Sequence, residues 1–157
     1  MGVEIERKFL IDPARWTPQG AGTPMRQGYL SSAKHCAVRV RIAGDDAFLT
    51  VKGVTNGVSR LEFEYAIPRA DAEALLAQLC APPLVEKTRH RQEVAGKLWE
   101  IDVFHGDNDG LIVAEIELAA EDEAFEPPDW VMAEVSDDPR YYNANLARHP
   151  FKNWRAD

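Results

Sequence analysis

The fold is decided by the stretch Val3-Glu4-Ile5-Glu6-Arg7-Lys8-Phe9, in which charged and apolar residues alternate. Side chains two positions apart lie on the same face of a β-strand, so Glu4, Glu6 and Lys8 share one face. The opposite face carries Val3, Ile5 and Phe9. Two carboxylates on one face repel each other unless a cation lies between them. The strand therefore faces either solvent or a charged interior.

The same alternation recurs along the chain and predicts eight strands. They are expected at residues 3–9, 25–30, 37–42, 48–52, 60–65, 85–91, 98–104 and 111–118, separated by turn signals such as Asn56-Gly57 and Gly96. Four of the later strands also carry paired like charges on one face: Arg39 and Arg41, Glu62 and Glu64, Lys87 and Arg89, and Glu115 and Glu117.

Two segments show helical rather than strand patterning. Apolar residues follow helical spacing over 68–80, and Pro82-Pro83 ends that element. Asp138-Pro139 is typical of a cap followed by proline at the first helical position, which predicts a second helix that stops before Pro150. The fold class is therefore α+β, mainly β, with a few helices outside a sheet.

Eight strands with mostly short turns favour an antiparallel sheet that closes into a barrel or tunnel. The outward face of an ordinary solvated sheet carries mixed polar residues, whereas here five strands carry paired like charges. The economical interpretation is that these faces converge on a water-filled interior. The apolar faces would then pack outward against the helices.

Composition limits the class of protein. A chain of 157 residues is expected to form one domain over 1–157. Its 18 Lys and Arg against 26 Asp and Glu give a net charge of -8, which argues against a nucleic-acid or anionic-membrane surface. Two cysteines, Cys36 and Cys80, and the lack of a signal-like or long apolar run favour a cytoplasmic protein.

An interior lined by carboxylates together with Lys and Arg suits a compact polyanion carried with a divalent metal. Glutamate supplies oxygen ligands, which favour Mg²⁺ or Mn²⁺ over zinc. The four histidines are scattered, without metal-ligand spacing. The sequence contains no G-x-x-x-x-G-K-[ST] loop, no G-x-G-x-x-G motif and no G-x-S-x-G elbow. Any chemistry must therefore come from the strand faces.

These residues resemble a known family. Glu4-x-Glu6-x-Lys8 is similar to the E-x-E-x-K signature of the CYTH superfamily, the triphosphate tunnel metalloenzymes. Later residues follow in the order typical of that family: Arg39-x-Arg41, Lys52, Arg60-x-Glu62-x-Glu64, Lys87-x-Arg89, Asp102 and Glu115-x-Glu117. The resemblance spans nearly the whole chain. It implies an eight-stranded antiparallel tunnel that binds a triphosphate.

The resemblance also implies roles for individual residues. The metal ligands would be Glu4, Glu6, Glu115 and Glu117, with Glu62 and Glu64 holding a second ion, positioning water or balancing Arg60. The phosphate ligands would be Lys8, Arg39, Arg41, Lys52, Lys87 and Arg89, and the catalytic residues Glu4, Lys8, Lys52 and Glu64. Asp102 would orient a basic residue instead of touching metal. From their place in the alternation, Glu100 and Arg91 would lie near the tunnel mouth or in solvent, and Tyr29 would reach the tunnel end or pack in the core.

Within the resembling family, the sequence favours hydrolysis of inorganic tripolyphosphate with Mg²⁺ or Mn²⁺, by a monomer or homodimer. No base-stacking or base-reading signature is visible in this short chain. The alternatives are a class IV adenylate cyclase, a thiamine or RNA triphosphatase, and a non-catalytic polyphosphate-binding module. The carboxylate pairs argue against the last of these, because binding a polyanion requires cations alone.

Overall fold

The computed structural model describes residues 2–154, which form a closed antiparallel barrel of eight strands, a ninth strand and two α-helices. The barrel strands are β1 (Val3–Ile11), β2 (Thr23–Ala33), β3 (Cys36–Ala43), β4 (Asp46–Lys52), β5 (Ser59–Ala66), β6 (Val85–Val94), β7 (Lys97–Phe104) and β8 (Ile112–Glu117). The ninth strand is β9 (Val131–Glu134), and the helices are α1 (Arg69–Gln78) and α2 (Asn143–Arg148). Among residues 2–154, none of the helices has the length and the apolar composition that a membrane-spanning helix needs.

The first strand closes the barrel because it pairs with two neighbours. The strand order is β5-β4-β3-β2-β6-β7-β8-β1, and β1 pairs again with β5. The start of β1 pairs with β5 through Val3 opposite Leu61, whereas its later part pairs with β8 through Lys8 opposite Glu115. A closed barrel leaves no free edge between these strands. The predicted eight-stranded antiparallel barrel is confirmed.

The apolar core lies outside the barrel wall. Trp99 on β7 is fully buried beneath Trp16 and Trp130 of the connecting segments. Helix α1 places Ala72 and Leu76 against β3 and β4, while Leu146 of α2 packs on a separate cluster with Val85. Outward packing of the apolar faces is therefore the rule.

Strand β5 departs from that rule. Leu61, Phe63 and Tyr65 on its outer face are 55%, 45% and 58% exposed. The expectation that helices cover every apolar face is therefore wrong for β5. The reason is that α1, which directly follows β5, packs back over β3 and β4 instead.

The second predicted helix is divided in two. Pro139–Tyr141 forms a single 3₁₀ turn, where Asp138 accepts a hydrogen bond from the backbone N–H of Arg140 (3.1 Å). Tyr142 is then extended (φ -70°, ψ 135°) before α2 begins. This break directs the Tyr142 ring towards the interior, where its centroid lies 5.6 Å from Lys8 Nζ. A continuous helix over 139–149 is therefore the wrong prediction.

Strand β9 was not predicted. It is four residues long and pairs with the end of β1, Ile11 opposite Val131. The Arg7 guanidinium on the outside of β1 donates to both carboxylate oxygens of Glu134 (2.9 and 2.6 Å). A segment this short carries too little alternation to be recognised, so only its contact with β1 defines it.

Candidate active site in the barrel lumen

The barrel encloses a cavity of about 1000 Å³ whose wall is strongly charged. Every residue predicted as a metal, phosphate or catalytic residue lines this cavity, with the exception of Lys87. Lys87 is buried in the wall itself, 1% exposed, and its ammonium contacts Asp102. The sequence alternation therefore brings the charged faces to one interior.

Strand register explains this convergence. Residues directly opposite each other on antiparallel strands have neighbouring side chains on one face. Glu6 lies opposite Glu117 and Lys8 opposite Glu115 across β1 and β8. Lys52 lies opposite Glu62 across β4 and β5. Because β1 pairs with both β5 and β8, carboxylates from three strands meet beside it.

Glu4 lies at the centre of this acidic region. Its carboxylate is 3.3 Å from Lys52 Nζ and 3.6 Å from Arg60 Nε. Burial raises the pKa of Glu4 above its ordinary value. The charge of Lys52 lowers it, and a hydrogen bond with the Glu62 carboxyl group raises it again. Lys52 in turn contacts Glu62 at 3.0 Å. One lysine is thus shared between two carboxylates.

Glu6 is the least compensated carboxylate of the region. Among residues 2–154 it has no ion-pair partner within 4.0 Å. Burial raises its pKa to about 8, and the charges of Glu115 and Glu4 contribute in the same direction. The pKa of Glu117, opposite Glu6, is also raised, first by burial and then by Glu4. These carboxylates lack the positive charge that would stabilise their ionised form.

Lys8 and Glu115 form a buried ion pair at 3.6 Å. Although burial opposes ionisation, the charge of Lys8 holds the pKa of Glu115 at about 2. The backbone N–H of Lys8 donates to Ser136 Oγ (2.9 Å). Lys8 is therefore fixed by β8 and by the segment that follows β9.

The opposite wall is built around Asp102 on β7. Lys87 Nζ donates to Asp102 Oδ2 at 2.7 Å, and Arg89 donates to both Asp102 oxygens at 2.8 and 2.9 Å. All three side chains are nearly fully buried. Although burial opposes ionisation, Arg89 and Lys87 hold the pKa of Asp102 far below its ordinary value. These contacts support the prediction that Asp102 orients basic residues.

Arg39 and Arg41 complete the basic wall from β3. The terminal Arg39 nitrogen Nη2 lies 3.3 Å from Thr50 Oγ1 and 3.5 Å from the Glu64 carboxylate, which is 41% exposed. Arg41 Nε donates to Gln27 Oε1 at 2.7 Å. The two guanidinium groups therefore point into the lumen with different partners.

Glu100 and Arg91 lie near an opening of the barrel, and Tyr29 lies in its wall. Glu100 contacts Arg89 at 3.4 Å and Arg91 at 3.2 Å, and the Arg91 side chain is 65% exposed, as expected near an opening. Tyr29 lines the cavity and packs in the core with Val85. Both predicted positions of Tyr29 are thus satisfied by one side chain.

Four further residues contact the predicted set: Gln27, Thr50, Tyr142 and Asn143. Thr50 lies two positions before Lys52, so strand alternation alone assigns it to the lumen. Gln27 is two positions from Tyr29 and follows the same rule. Tyr142 and Asn143 reach the cavity from the region of α2, and no spacing in the sequence indicates this.

The carboxylates do not form a compact metal cage. Within residues 2–154, no group of three or more His, Cys, Asp or Glu side chains is arranged to hold a metal ion. Instead, Glu115 is paired with Lys8, and Glu64 accepts a hydrogen bond from Thr50 (2.8 Å). The donor chemistry nevertheless fits a hard divalent cation, because carboxylate oxygens surround the uncompensated Glu6. The assignment of metal ligands stays a prediction.

Known proteins are similar to this chain in sequence and in architecture. A family model described as the CYTH domain matches residues 2–143. The chain is 46% identical over 155 residues to an inorganic triphosphatase of Acetivibrio thermocellus, covering 99% of each protein. It is 39% identical over 150 residues to an inorganic triphosphatase of Nitrosomonas europaea, covering 92% of this chain and 96% of that protein. The crystal structure of an inorganic triphosphatase matches with a TM-score of 0.66 and 37% identity, covering 94% of this chain and 95% of that one.

The family match covers most of the chain, and both relatives align over more than nine tenths of it. The solved structure agrees over the same extent. The resemblance inferred from Glu4-x-Glu6-x-Lys8 and the later charged pairs is therefore confirmed. This chain belongs to the CYTH domain family.

Proposed function

We propose that this protein hydrolyses inorganic tripolyphosphate in the barrel lumen, with Mg²⁺ or Mn²⁺ as the metal ion. The observation that carries the proposal is that carboxylates and buried cations surround one cavity of about 1000 Å³. The two relatives are named inorganic triphosphatases, which supports the same reaction here. Carboxylates would weaken a simple polyanion binder, so their presence favours a metal-assisted reaction.

The acidic region fits the chemistry of a hard divalent ion. Glu4 and Glu6 have raised pKa values because they are buried among like charges, and a cation would remove that repulsion. We assign the metal site to Glu4, Glu6, Glu62, Glu64, Glu115 and Glu117. An ion bound there would supply Lewis-acid stabilisation of the phosphoryl oxygens.

The basic wall would hold the substrate. Lys8, Arg39, Arg41, Lys52, Lys87 and Arg89 are the proposed phosphate ligands. Guanidinium groups bind phosphoryl oxygens through two parallel hydrogen bonds, whereas lysine acts as a point charge. Because these cations are already ordered by protein contacts, they need little reorganisation as charge develops in the transition state.

The reaction is a displacement at phosphorus. A water oxygen bonds to the terminal phosphorus while the bridging P–O bond breaks, and the products are phosphate and pyrophosphate. Glu4 or Glu64 would accept the proton of the attacking water. Lys8 and Lys52 would stabilise the charge on the departing oxygens.

The cellular location belongs to the same proposal. Cys36 and Cys80 are both free thiols. Unpaired cysteines are typical of a reducing compartment. We therefore propose that the protein acts in the cytoplasm.

The test is phosphate release from tripolyphosphate, ATP, thiamine triphosphate and pyrophosphate with Mg²⁺ or Mn²⁺, together with a cyclic AMP assay. Nucleotides are included because Tyr29, Phe48 and Tyr142 line the cavity and could accept a base. We expect tripolyphosphate to be the fastest substrate and chelation to abolish turnover. Cyclic AMP formation would make the protein a cyclase, and undiminished turnover after chelation would contradict the metal assignment. Binding of tripolyphosphate without any turnover would make it a binding module.

A further inference from the structure

Two uncharged amides contact buried cations beside α2: Gln27 lies inside the barrel wall, and Asn143 lines the cavity. Gln27 on β2 is completely buried, and its Oε1 accepts a hydrogen bond from Arg41 Nε at 2.7 Å. Gln27 Nε2 donates to Asn143 Oδ1 at 3.1 Å. The same Asn143 oxygen accepts from Lys87 Nζ at 3.2 Å. The contacts therefore run from Arg41 through two amides to Lys87.

The chemistry of the partners determines how both amides are oriented. Arginine and lysine side chains can only donate hydrogen bonds. The Gln27 oxygen must therefore face Arg41, which leaves its NH₂ group to donate towards α2. The Asn143 oxygen must likewise face Lys87, and it is then also the acceptor for Gln27. A flipped amide at either position would place two donors against each other.

The two amides accept hydrogen bonds from cations without adding negative charge, which a carboxylate cannot do. Lys87 and Arg89 share Asp102 as their counterion. Within residues 2–154, Arg41 has no carboxylate within 4.0 Å, and Gln27 is its hydrogen-bond partner. A neutral acceptor orients a cation without cancelling its charge. Gln27 therefore orients Arg41 without neutralising it, and the terminal nitrogens of Arg41 stay free of Gln27.

We propose that Gln27 and Asn143 are positioning residues that hold Arg41 at a fixed place relative to Lys87 in the barrel wall, so that Arg41 binds a phosphoryl group at the α2 end of the lumen. This inference rests on the proposed function. It adds that α2, through its first residue, contributes to substrate affinity rather than only covering the barrel. Neither amide needs to touch the reacting atoms.

The test removes the hydrogen bonds while conserving side-chain size, in Gln27→Met and Asn143→Leu. Gln92→Met is the matched control, because Gln92 accepts from the uncharged Trp16 Nε1 (3.1 Å), whereas Gln27 accepts from the lumen cation Arg41. We expect KM for tripolyphosphate to rise about tenfold in both lumen variants, since each loses a hydrogen bond in contact with a charged group. We expect kcat to change by less than about threefold, and the control to match the wild type.

Gln27→Glu separates positioning from structural support. It restores the acceptor for Arg41 but not the donor to Asn143, and it adds a negative charge beside the phosphate site. A purely structural role predicts that glutamate rescues KM relative to Gln27→Met. Positioning without neutralisation predicts a KM higher than that of Gln27→Met. A folded Gln27→Met protein with wild-type KM, or rescue by glutamate, would overturn the inference.

A second readout is independent of catalysis. In ¹⁵N NMR spectra of the wild type, the Arg41 Nε–H signal should be protected from exchange with water, and Gln27→Met should abolish that protection. The Arg89 Nε–H signal, bonded to Asp102, should persist and serves as the internal control. If wild-type protein neither binds nor hydrolyses tripolyphosphate, the proposed function fails. An unprotected Arg41 signal in the wild type would instead overturn the positioning pair itself.

Discussion

The two walls of the lumen handle crowded charge in different ways. On the basic wall, Asp102 joins Lys87 and Arg89 at 2.7 to 2.9 Å, so its counterion is part of the fold. On the acidic wall, Glu6 has no such partner within residues 2–154, and its pKa is raised to about 8. The basic wall is therefore compensated within the fold, whereas the acidic wall is left with uncompensated charge that the proposed metal ion would balance. Breaking each wall should therefore give opposite results for stability and activity.

The largest expected effect on stability comes from Asp102→Asn. The change leaves Lys87 and Arg89 buried without their counterion, and removing one partner of a buried pair costs about 3–5 kcal/mol. Urea unfolding measures the loss of free energy. Asp107→Asn is the matched control, since Asp107 contacts Lys152 in a largely exposed pair, and such pairs contribute about 0–1 kcal/mol. Equal losses in both variants would show that the basic wall does not depend on Asp102.

The acidic wall should respond in the opposite way to Glu4→Gln. Glutamine nearly conserves shape while removing charge from a region where Glu4 contacts the Glu62 carboxyl group. We expect turnover to fall roughly 100-fold or more, as for the loss of other electrostatic groups in active sites. Apparent affinity for Mg²⁺ or Mn²⁺ should weaken. The metal-free protein should be as stable as the wild type or slightly more stable.

The outcome that contradicts this assignment is specific. If Glu4→Gln unfolds the protein but leaves the activity of each folded molecule intact, Glu4 is a structural partner of Lys52 and Arg60. Circular dichroism and titration of the folded fraction separate that case from a loss of catalysis. The same measurements on Glu117→Gln test whether the effect belongs to the wall or to one residue.

A smaller effect is expected for Arg39→Ala. The Arg39 guanidinium lies beside Thr50 and Glu64. Thr50 is uncharged and Glu64 is partly exposed, so both tolerate the loss of Arg39. Because Arg39 would contact phosphate in the ground and transition states alike, KM should rise at least as much as kcat falls, by roughly tenfold. Steady-state kinetics with tripolyphosphate provides the measurement. A fall in kcat with unchanged KM would show that Arg39 acts only in the transition state.

Much of this comparison is already present in the sequence. Alternation along the strands identifies the lumen faces, and a closed barrel then brings Glu4, Glu62 and Glu117 to one interior. The sequence does not predict which charged residues pair with each other, because that depends on the register of neighbouring strands. Arg89 opposite Asp102 and Glu6 opposite Glu117 follow from strand pairing that alternation alone does not specify.

The segment after β8 is where sequence reasoning fails. Strand β9 is too short to show a period, and the extended Tyr142 divides what the pattern indicates as one helix. Both features are determined by contacts with distant residues: β9 with β1, and the Tyr142 ring with Lys8. Asn143 reaches Lys87 across 56 positions of sequence for the same reason. Local patterns do not contain such information.

The last expected effect is that Glu6 makes the stability of the metal-free protein depend on pH. Its pKa is about 8 in the folded state against an ordinary 4.5, so between these values the folded protein holds a proton that the unfolded chain has released. Stability contributed by protonated Glu6 is therefore complete below about pH 4.5 and declines as pH rises towards 8. Burial lowers the pKa of Lys87 from an ordinary 10.5 to about 7. Above pH 7 the unfolded chain therefore holds a proton that folded Lys87 has released, so the free energy of unfolding rises with pH there. The window from pH 5 to 7 isolates the acidic wall.

In that window, the free energy of unfolding of metal-free wild type should fall with rising pH, and Glu6→Gln should flatten the slope. Glu126→Gln, in an exposed loop, is the control and should keep the wild-type slope. Unfolding by urea at pH 5, 6 and 7 with a chelator present measures all three proteins. Adding Mn²⁺ at pH 7 should stabilise the wild type more than Glu6→Gln, because the ion replaces the proton as the charge that compensates Glu6. Equal slopes in wild type and Glu6→Gln would mean that Glu6 is already compensated within the fold, and the contrast between the two walls would then disappear.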